Sequence, residues 1–405
     1  MVSYQLIERL YESASIRRWN DFVRPVEFTE LDKQAHKVLI AYVIARFEPQ
    51  TRDAEAFNWL RFVEGGIFEF LQRIILTDIK PPVFHKMMRE KGRELNEWVL
   101  QRLGPEIAGI RGGFGDRFRR YLFDKDYAPL EKRILKAAHY MATQWEFNII
   151  YKVCPFVHDI DKVKGELEEQ LEEFYDLQGV QRVMLDRKAS GFVSLCGQLR
   201  FQRRWAQSPR VPETSVLGHM LIVAVTTYLC LRSVEACPER ICHGYYAGLF
   251  HDLPEVLTRD ITSPIKDAVE GLADIIREYE RKQVEEKLLP LLPEDWHDEM
   301  NYFMENEFEN RAIVDGKVVS GISFEDMQTK YNTAEFKAID GKLIRACDNL
   351  AAFIEASLSI QHGIRSRPLE EGRDRLLEKY RNRVVSTVDF GQIFRAFSGP
   401  DQPMG

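Results

Sequence analysis

The sequence predicts a mainly α-helical protein, arranged as two helical bundles in tandem, on three observations. Apolar residues recur three and four apart, as in Leu39, Ile40, Val43, Ile44 and Phe47 and again in Leu221, Ile222, Val225, Tyr228 and Leu229, the spacing that lines one face of a helix. The one clear strand signal is Ile313-Val314, then Asp315-Gly316, then Lys317-Val318-Val319, which reads as a short hairpin closed by a type I′ turn. Finally, segments of the first half return in the same order in the second.

The repeat begins with Arg18-Trp19, followed by Arg24, Pro25, Glu27, Thr29 and His36, which matches Arg204-Trp205 followed by Arg210, Pro212, Glu213, Thr214 and His219. Next, the run from Gly66 to Ile79 lies without a gap over the run from Gly248 to Ile261, pairing Gly66 with Gly248, Phe68 with Phe250, Leu71 with Leu253 and Asp78 with Asp260. Pro82 pairs with Pro264 just beyond. Then the run from Arg133 to His139 matches the run from Lys342 to Asp348. Between the copies, residues 159 to 177 carry Asp159, Asp161, Lys162, Lys164, Glu166, Glu168 and Glu169, the pattern of a solvated connecting helix. The expected division is therefore a first copy at 1–150, a charged connector at 151–189, a working unit at 190–375 with the hairpin inserted, and a C-terminal tail at 376–405.

Length and composition agree with this. At roughly 150 residues per domain, 405 residues make two or three folded units. With 45% hydrophobic and 29% charged residues, the chain is an ordinary globular one, not collagenous, low-complexity or wholly disordered. Fifty-six basic against sixty-three acidic residues leave a net charge of -7, which weighs against a nucleic-acid polymer as partner. Any anionic ligand then needs a local site. The opening MVSYQLIERLYES has no signal-peptide pattern, and the apolar stretch from Met220 to Leu231 is broken by Thr226 and Thr227 and is short for a bilayer. A cytoplasmic protein with no membrane partner is expected. Six cysteines without a C-x-x-C pair fit reduced core thiols better than disulfides or structural zinc.

The copies differ at groups that can do chemistry. Where the second has His251, Asp252 and Glu255, the first has Glu69, Phe70 and Arg73, and where the second has Asp348 the first has His139. The first copy is thus expected to be non-catalytic. Imidazole and carboxylate suit a borderline or hard divalent cation. His219 and Asp348 each sit inside an apolar helical stretch, where burial is costly without a partner. A shared cation resolves the burial of His219, His251, Asp252 and Asp348 together, and leaves coordination positions open for water and substrate. Glu255 lies three residues past Asp252, so one helical turn brings its carboxylate toward the same centre. Arg204 offers a guanidinium fork for phosphate oxygens.

This pattern resembles the HD superfamily of metal-dependent phosphohydrolases, whose signature is H…HD…D on a helical bundle. The stretch from His251 to Lys266 is similar, more narrowly, to the HDxxEvltgDixxPxK run of bacterial 5′-deoxynucleotidases, and the Arg204-Trp205 pair ahead of His219 matches that group as well. The resemblance implies an all-α fold of tandem HD bundles and one divalent cation held by His219, His251, Asp252 and Asp348. It implies that Glu255 handles protons, that Asp260 touches the nucleotide or its leaving oxygen, that Arg204 meets phosphate, and that Trp205 packs near the sugar and favours the deoxy form. Two positions depart from the pattern: Gly218 stands where an acidic residue commonly precedes the first histidine, and Pro254 is unusual after the HD pair. The ligand set accommodates Mn, Co, Zn, Fe or Mg.

Plainer readings exist for each residue. Asp252 to Glu255 also fits a capping box with an early proline; His219 fits a satisfied core histidine; Asp348-Asn349 fits a polar helix face; Trp205 fits simple packing. His158-Asp159 in the connector lacks the downstream Glu, and His36, His85 and His139 read as remnants. The expected function is hydrolysis of deoxynucleoside 5′-monophosphates. The alternatives are a nucleotide-binding sensor or scaffold, an HD hydrolase for dNTPs or cyclic nucleotides, and a di-iron oxygenase, for which only His297 offers an extra imidazole between Asp252 and Asp348. The two copies are expected to pair within one chain as a pseudo-dimer, with homo-oligomers also compatible.

Overall fold

Two helix starts explain how the site is framed. Thr29 caps the helix that begins at Glu30 by accepting from the Asp32 amide, and Ser215 caps the one that begins at Val216 by accepting from the Gly218 amide, each satisfying an amide that the first turn leaves open. The structure, a computed structural model, describes residues 2–48, 57–259 and 269–398. Its first half holds α1 (Tyr4–Glu12), α2 (Glu30–Phe47), α3 (Trp59–Leu76), α4 (Pro81–Ile107), α5 (Phe114–Phe123) and α6 (Pro129–Val153). The connecting helices α7 (Ile160–Glu172), α8 (Gln178–Leu185) and α9 (Arg187–Gln198) lead to α10 (Val216–Ser233), α11 (Pro238–Phe250) and the short α12 (Glu255–Thr258). Then follow α13 (Leu272–Gln283), α14 (His297–Met304), α15 (Phe324–Thr329), α16 (Gly341–Gln361), α17 (Arg367–Tyr380) and α18 (Phe390–Phe397). The all-α class holds.

Helices α2 and α10 are the axes of the two halves. Helix α2 packs on α6, α10 packs on α11 and α16, and α2 and α10 pack on each other. Every residue from Val216 to Leu231 is buried, as expected of a helix apolar all round. This helix is long and apolar enough to cross a membrane, but 89% of it is buried inside the protein, so its apolarity is accounted for by the core. One continuous apolar cluster runs from Val2 to Phe397, and Tyr11 Oη donates to the Ala351 carbonyl at 3.1 Å. The halves therefore share one interior.

Small sheets close the loops. Strand β1 (Arg17–Arg18) pairs with β2 (Phe28–Thr29), Arg17 opposite Thr29, and in the second half Arg203 bridges Ser215 in the same antiparallel sense. Trp19 and Trp205, next in each chain segment, both take a left-handed backbone, with φ of 57° and 56°, a conformation uncommon for a bulky side chain. Thr77 and Arg259, each closing a helix, share it as well. The expected hairpin is present as β3 (Asn310–Val314) and β4 (Lys317–Ser320), with Asp315 and Gly316 both at positive φ, as a type I′ turn requires. A third strand, β5 (Ile339–Asp340), joins β3, anchored where the fully buried Arg240 donates to both Asp340 oxygens at 2.6 Å.

The C-terminal segment is not a loose tail as far as residue 398. Strands β6 (Val384–Val385) and β7 (Val388–Asp389) turn the chain back, and Phe394 of α18 stacks on Tyr380 at 4.7 Å and meets Phe353 at 4.6 Å. The cysteines are free thiols, with Cys230 and Cys347 in contact at 3.8 Å.

Candidate metal centre and active site

Four of the expected residues arrive from three helical segments. His219 sits one turn into α10, His251 closes α11, Asp252 follows it, and Asp348 lies midway along α16. His219 Nε2 is 3.1 Å from Asp348 Oδ1 and 3.7 Å from Asp252 Oδ2, and His251 Nε2 is 3.2 Å from the same Asp252 oxygen. Donor atoms of His219, His251 and Asp252 all fall within 4.8 Å of one another. Both imidazoles are buried, while Asp252 and Asp348 are open to solvent on one side, at 18% and 24% side-chain exposure.

The outer nitrogens are committed elsewhere. His251 Nδ1 donates to the Gly248 carbonyl at 2.9 Å, which fixes the tautomer and leaves the Nε2 lone pair facing the centre. His251 Nε2 is buried and makes no hydrogen bond. The electrostatics agree. Burial opposes charge on His251, but Asp252 beside it outweighs this and pushes its pKa up to about 9; Asp252 itself, though buried, is held well below the usual carboxylate range by His251, His219 and Arg204. The two imidazoles and Asp252, with Asp348 beside His219, are donor types that fit a divalent ion.

The remaining expected residues are placed around this core. Asp252 does not cap a helix: α12 starts at Glu255 behind Pro254, without a side-chain cap, so the capping-box reading is not realised. Glu255 is buried at the start of that turn, and its carbonyl accepts from Gln202 Nε2 at 3.1 Å. Arg204 Nη1 approaches Asp252 Oδ2 at 3.9 Å. Trp205 donates its indole N–H to Glu355 at 3.0 Å, and its ring lies where a Cβ on Gly372 would be. The loop from Arg203 to Glu213 walls a cavity of about 340 Å³ whose lining includes Arg204 and Trp205 but none of His219, His251, Asp252 and Asp348. Asp260 lies outside the described residues, as do Pro264 and Lys266. His297 Nε2 rests on the Leu292 carbonyl at 3.2 Å, and His158 is 96% exposed beside Asp159.

A family model for the HD domain matches residues 196–377. These residues are an HD domain. Two relatives are similar to the chain: a 5′-deoxynucleotidase of Vibrio atlanticus, 23% identical over 208 residues that cover 50% of this chain and 91% of that protein, and a 5′-deoxynucleotidase of Photobacterium profundum, 31% identical over 118 residues that cover 27% of this chain and 58% of that protein. The comparisons thus link this chain to HD-domain proteins and to 5′-deoxynucleotidases.

Several residues of the HD domain's site escaped the sequence reading. Glu355, fully buried in α16, contacts His219, Trp205, Thr214 and both Arg204 and Arg210. It falls seven positions after Asp348, as Glu146 does after His139, so extending the matched block two turns would have found it. Glu146 makes the matching tryptophan bond in the first half, accepting from Trp19 Nε1 at 2.9 Å, and accepts from Arg18 Nε at 2.9 Å where Arg204 Nε stands 3.8 Å from Glu355. The pairing of His36 with His219 is corrected by the caps: counting from Thr29 and Ser215 sets Lys33, not His36, opposite His219. Lys33 Nζ donates to His139 Nδ1, in the way that His219 meets Asp348. His36, one turn on, is a core histidine whose Nε2 donates to the Val193 carbonyl at 2.9 Å.

Proposed function

We propose that the HD domain removes phosphate from deoxynucleoside 5′-monophosphates, with His219, His251, Asp252 and Asp348 holding one divalent cation, Mn, Co, Zn, Fe or Mg. The observation that carries this is the gathering of His219, His251 and Asp252 donor atoms within 4.8 Å of one another, with Asp348 Oδ1 3.1 Å from His219 Nε2; the names of both relatives support the substrate class. When bound, the cation would polarise a phosphoryl oxygen and lower the pKa of water. The chain's own groups do the rest. Arg204, at the rim beside Asp252, pairs with the phosphate oxygens and offsets charge built up during transfer. Glu255 takes the proton of the attacking water and returns one to the leaving 5′-oxygen. Trp205 closes the sugar side, favouring a ribose without its 2′-hydroxyl, and Asp260 meets the nucleotide or its leaving oxygen. Such an enzyme, with a nucleotide as its small-molecule partner, works in the cytoplasm.

The N-terminal half we read as a degenerate copy forming an intramolecular pseudo-dimer with the HD domain. Its support is the matched Arg-Trp-Glu clusters, matched caps and matched left-handed tryptophans. At the corresponding place it sets the Lys33 side-chain nitrogen against His139.

The test is phosphate release from a panel of dNMPs, rNMPs, dNTPs and cyclic nucleotides with Mn²⁺, Co²⁺ or Mg²⁺. The reading expects turnover of dNMPs that His251→Ala lowers by at least about 10³-fold, since removing a catalytic ion costs several kcal/mol. Release no faster than that of the variant would refute it.

A further inference from the structure

We propose that Glu355 is the positioning residue of the HD site: its buried carboxylate orients His219 from behind and ties that histidine to the Arg204–Trp205 pair. This rests on the reading of His219 as a cation ligand. Glu355 Oε1 lies 3.6 Å from His219 Nδ1, on the side of the ring away from Asp252 and Asp348. That nitrogen is buried and makes no hydrogen bond, so the carboxylate is the group that favours a proton there and keeps the Nε2 lone pair directed at the centre. The other histidine has a backbone carbonyl in the same role.

The carboxylate is itself fixed from several sides. Oε1 accepts from Thr214 Oγ1 at 2.8 Å, Oε2 accepts from Trp205 Nε1 at 3.0 Å, and Arg204 Nε and Arg210 Nη1 approach Oε2 at 3.8 and 3.9 Å. A fully buried carboxylate needs such partners, because an unpaired charge there is costly. One consequence is linkage. The residue behind His219 also holds the indole expected to face the sugar and lies beside the guanidinium expected to face the phosphate, so a shift in one is passed to the other. In the first half Glu146 keeps the tryptophan and arginine bonds, but Lys33 stands in the histidine's position. That half supplies a control in which the same network has no imidazole to orient.

The experiment uses the full chain, stripped of metal and titrated with Mn²⁺ by calorimetry, for wild type, Glu355→Gln and Glu146→Gln, with folding checked by thermal melts. Glu355→Gln is expected to weaken Mn²⁺ binding by about 10- to 100-fold, the usual cost of losing an outer partner of a ligating histidine. Its kcat at low Mn²⁺ should fall and recover at saturating Mn²⁺, while KM stays raised. Glu146→Gln should lower the melting temperature and leave Mn²⁺ affinity at the wild-type value. Wild-type Mn²⁺ affinity in a folded Glu355→Gln protein overturns the proposal, as does an equal loss of affinity in Glu146→Gln, which would make the effect purely structural. If Glu355→Gln does not fold, Glu355→Asp carries the same readout, with weakened Mn²⁺ binding expected and unchanged binding contradicting it. Wild type that binds no Mn²⁺ refutes the ligand reading itself, a separate result from a folded variant that binds normally.

Discussion

A Cβ on Gly218 would lie 2.9 Å from Leu31 Cδ2 and 3.1 Å from Asp32 Oδ1, so the opposing helix α2 sets this residue. Asp32 is buried and accepts from Ser215 Oγ; an acidic side chain at 218 would face it directly. The departure from the acidic residue expected before the first histidine is therefore a packing requirement between the halves and leaves the ligand set intact. Gly218→Asp is expected to destabilise the fold by about 3 kcal/mol or more, as burial of an unpaired like charge does, measured by urea denaturation; an unchanged midpoint would contradict the account. His36 gives a pH test. Burial, with Arg200 nearby, pushes its pKa down to about 3, whereas an unfolded imidazole titrates near about 6.5. Its neutral form supports the fold above about pH 6.5, and that support is lost as pH falls toward 3. Between pH 7.5 and 5 the wild type should lose roughly 2 kcal/mol through this group, a loss that His36→Leu would not show. The candidate ligand residues stand out in the sequence because chemistry constrains their type and order. Lys33 and Glu355 were not, because their meaning lies in which buried atom they face across the bundle.

Helix α8 begins against α2 so closely that a Cβ on Gly179 would sit 2.3 Å from the Ile44 carbonyl oxygen and 2.6 Å from Ile44 Cα. Backbone cannot yield as a side-chain tip can. Gly179→Ala is expected to cost about 3 kcal/mol, read as a lowered thermal midpoint, and an unaltered midpoint would show that the contact is looser than described. The hairpin β3–β4 was legible because Asp-Gly between alternating residues carries its own turn chemistry. Strand β5 was not, since two residues offer no periodicity and owe their pairing to the Arg240–Asp340 ion pair. Helix α10 was legible as a helix, yet its burial on every side follows only from packing α2, α11 and α16 around it.

Because one apolar cluster spans Val2 to Phe397, cutting the chain between the halves bares the face of α10 that meets α2. A fragment of residues 190–398 is expected to dimerise or aggregate, judged by light scattering during gel filtration; a stable, active monomer would remove the intramolecular pairing proposed for the two halves. The repeated blocks suggest a tandem organisation, whereas the shared interior and the folding of the C-terminal segment onto α1 and α16 were not legible, since neither leaves a local signal. The account turns on one cation per chain in the HD half. Metal analysis of the full-length protein reconstituted with Mn²⁺ and freed of excess tests this most directly. One equivalent in the wild type and none in His251→Ala is the predicted result, and an equal content in both would contradict it.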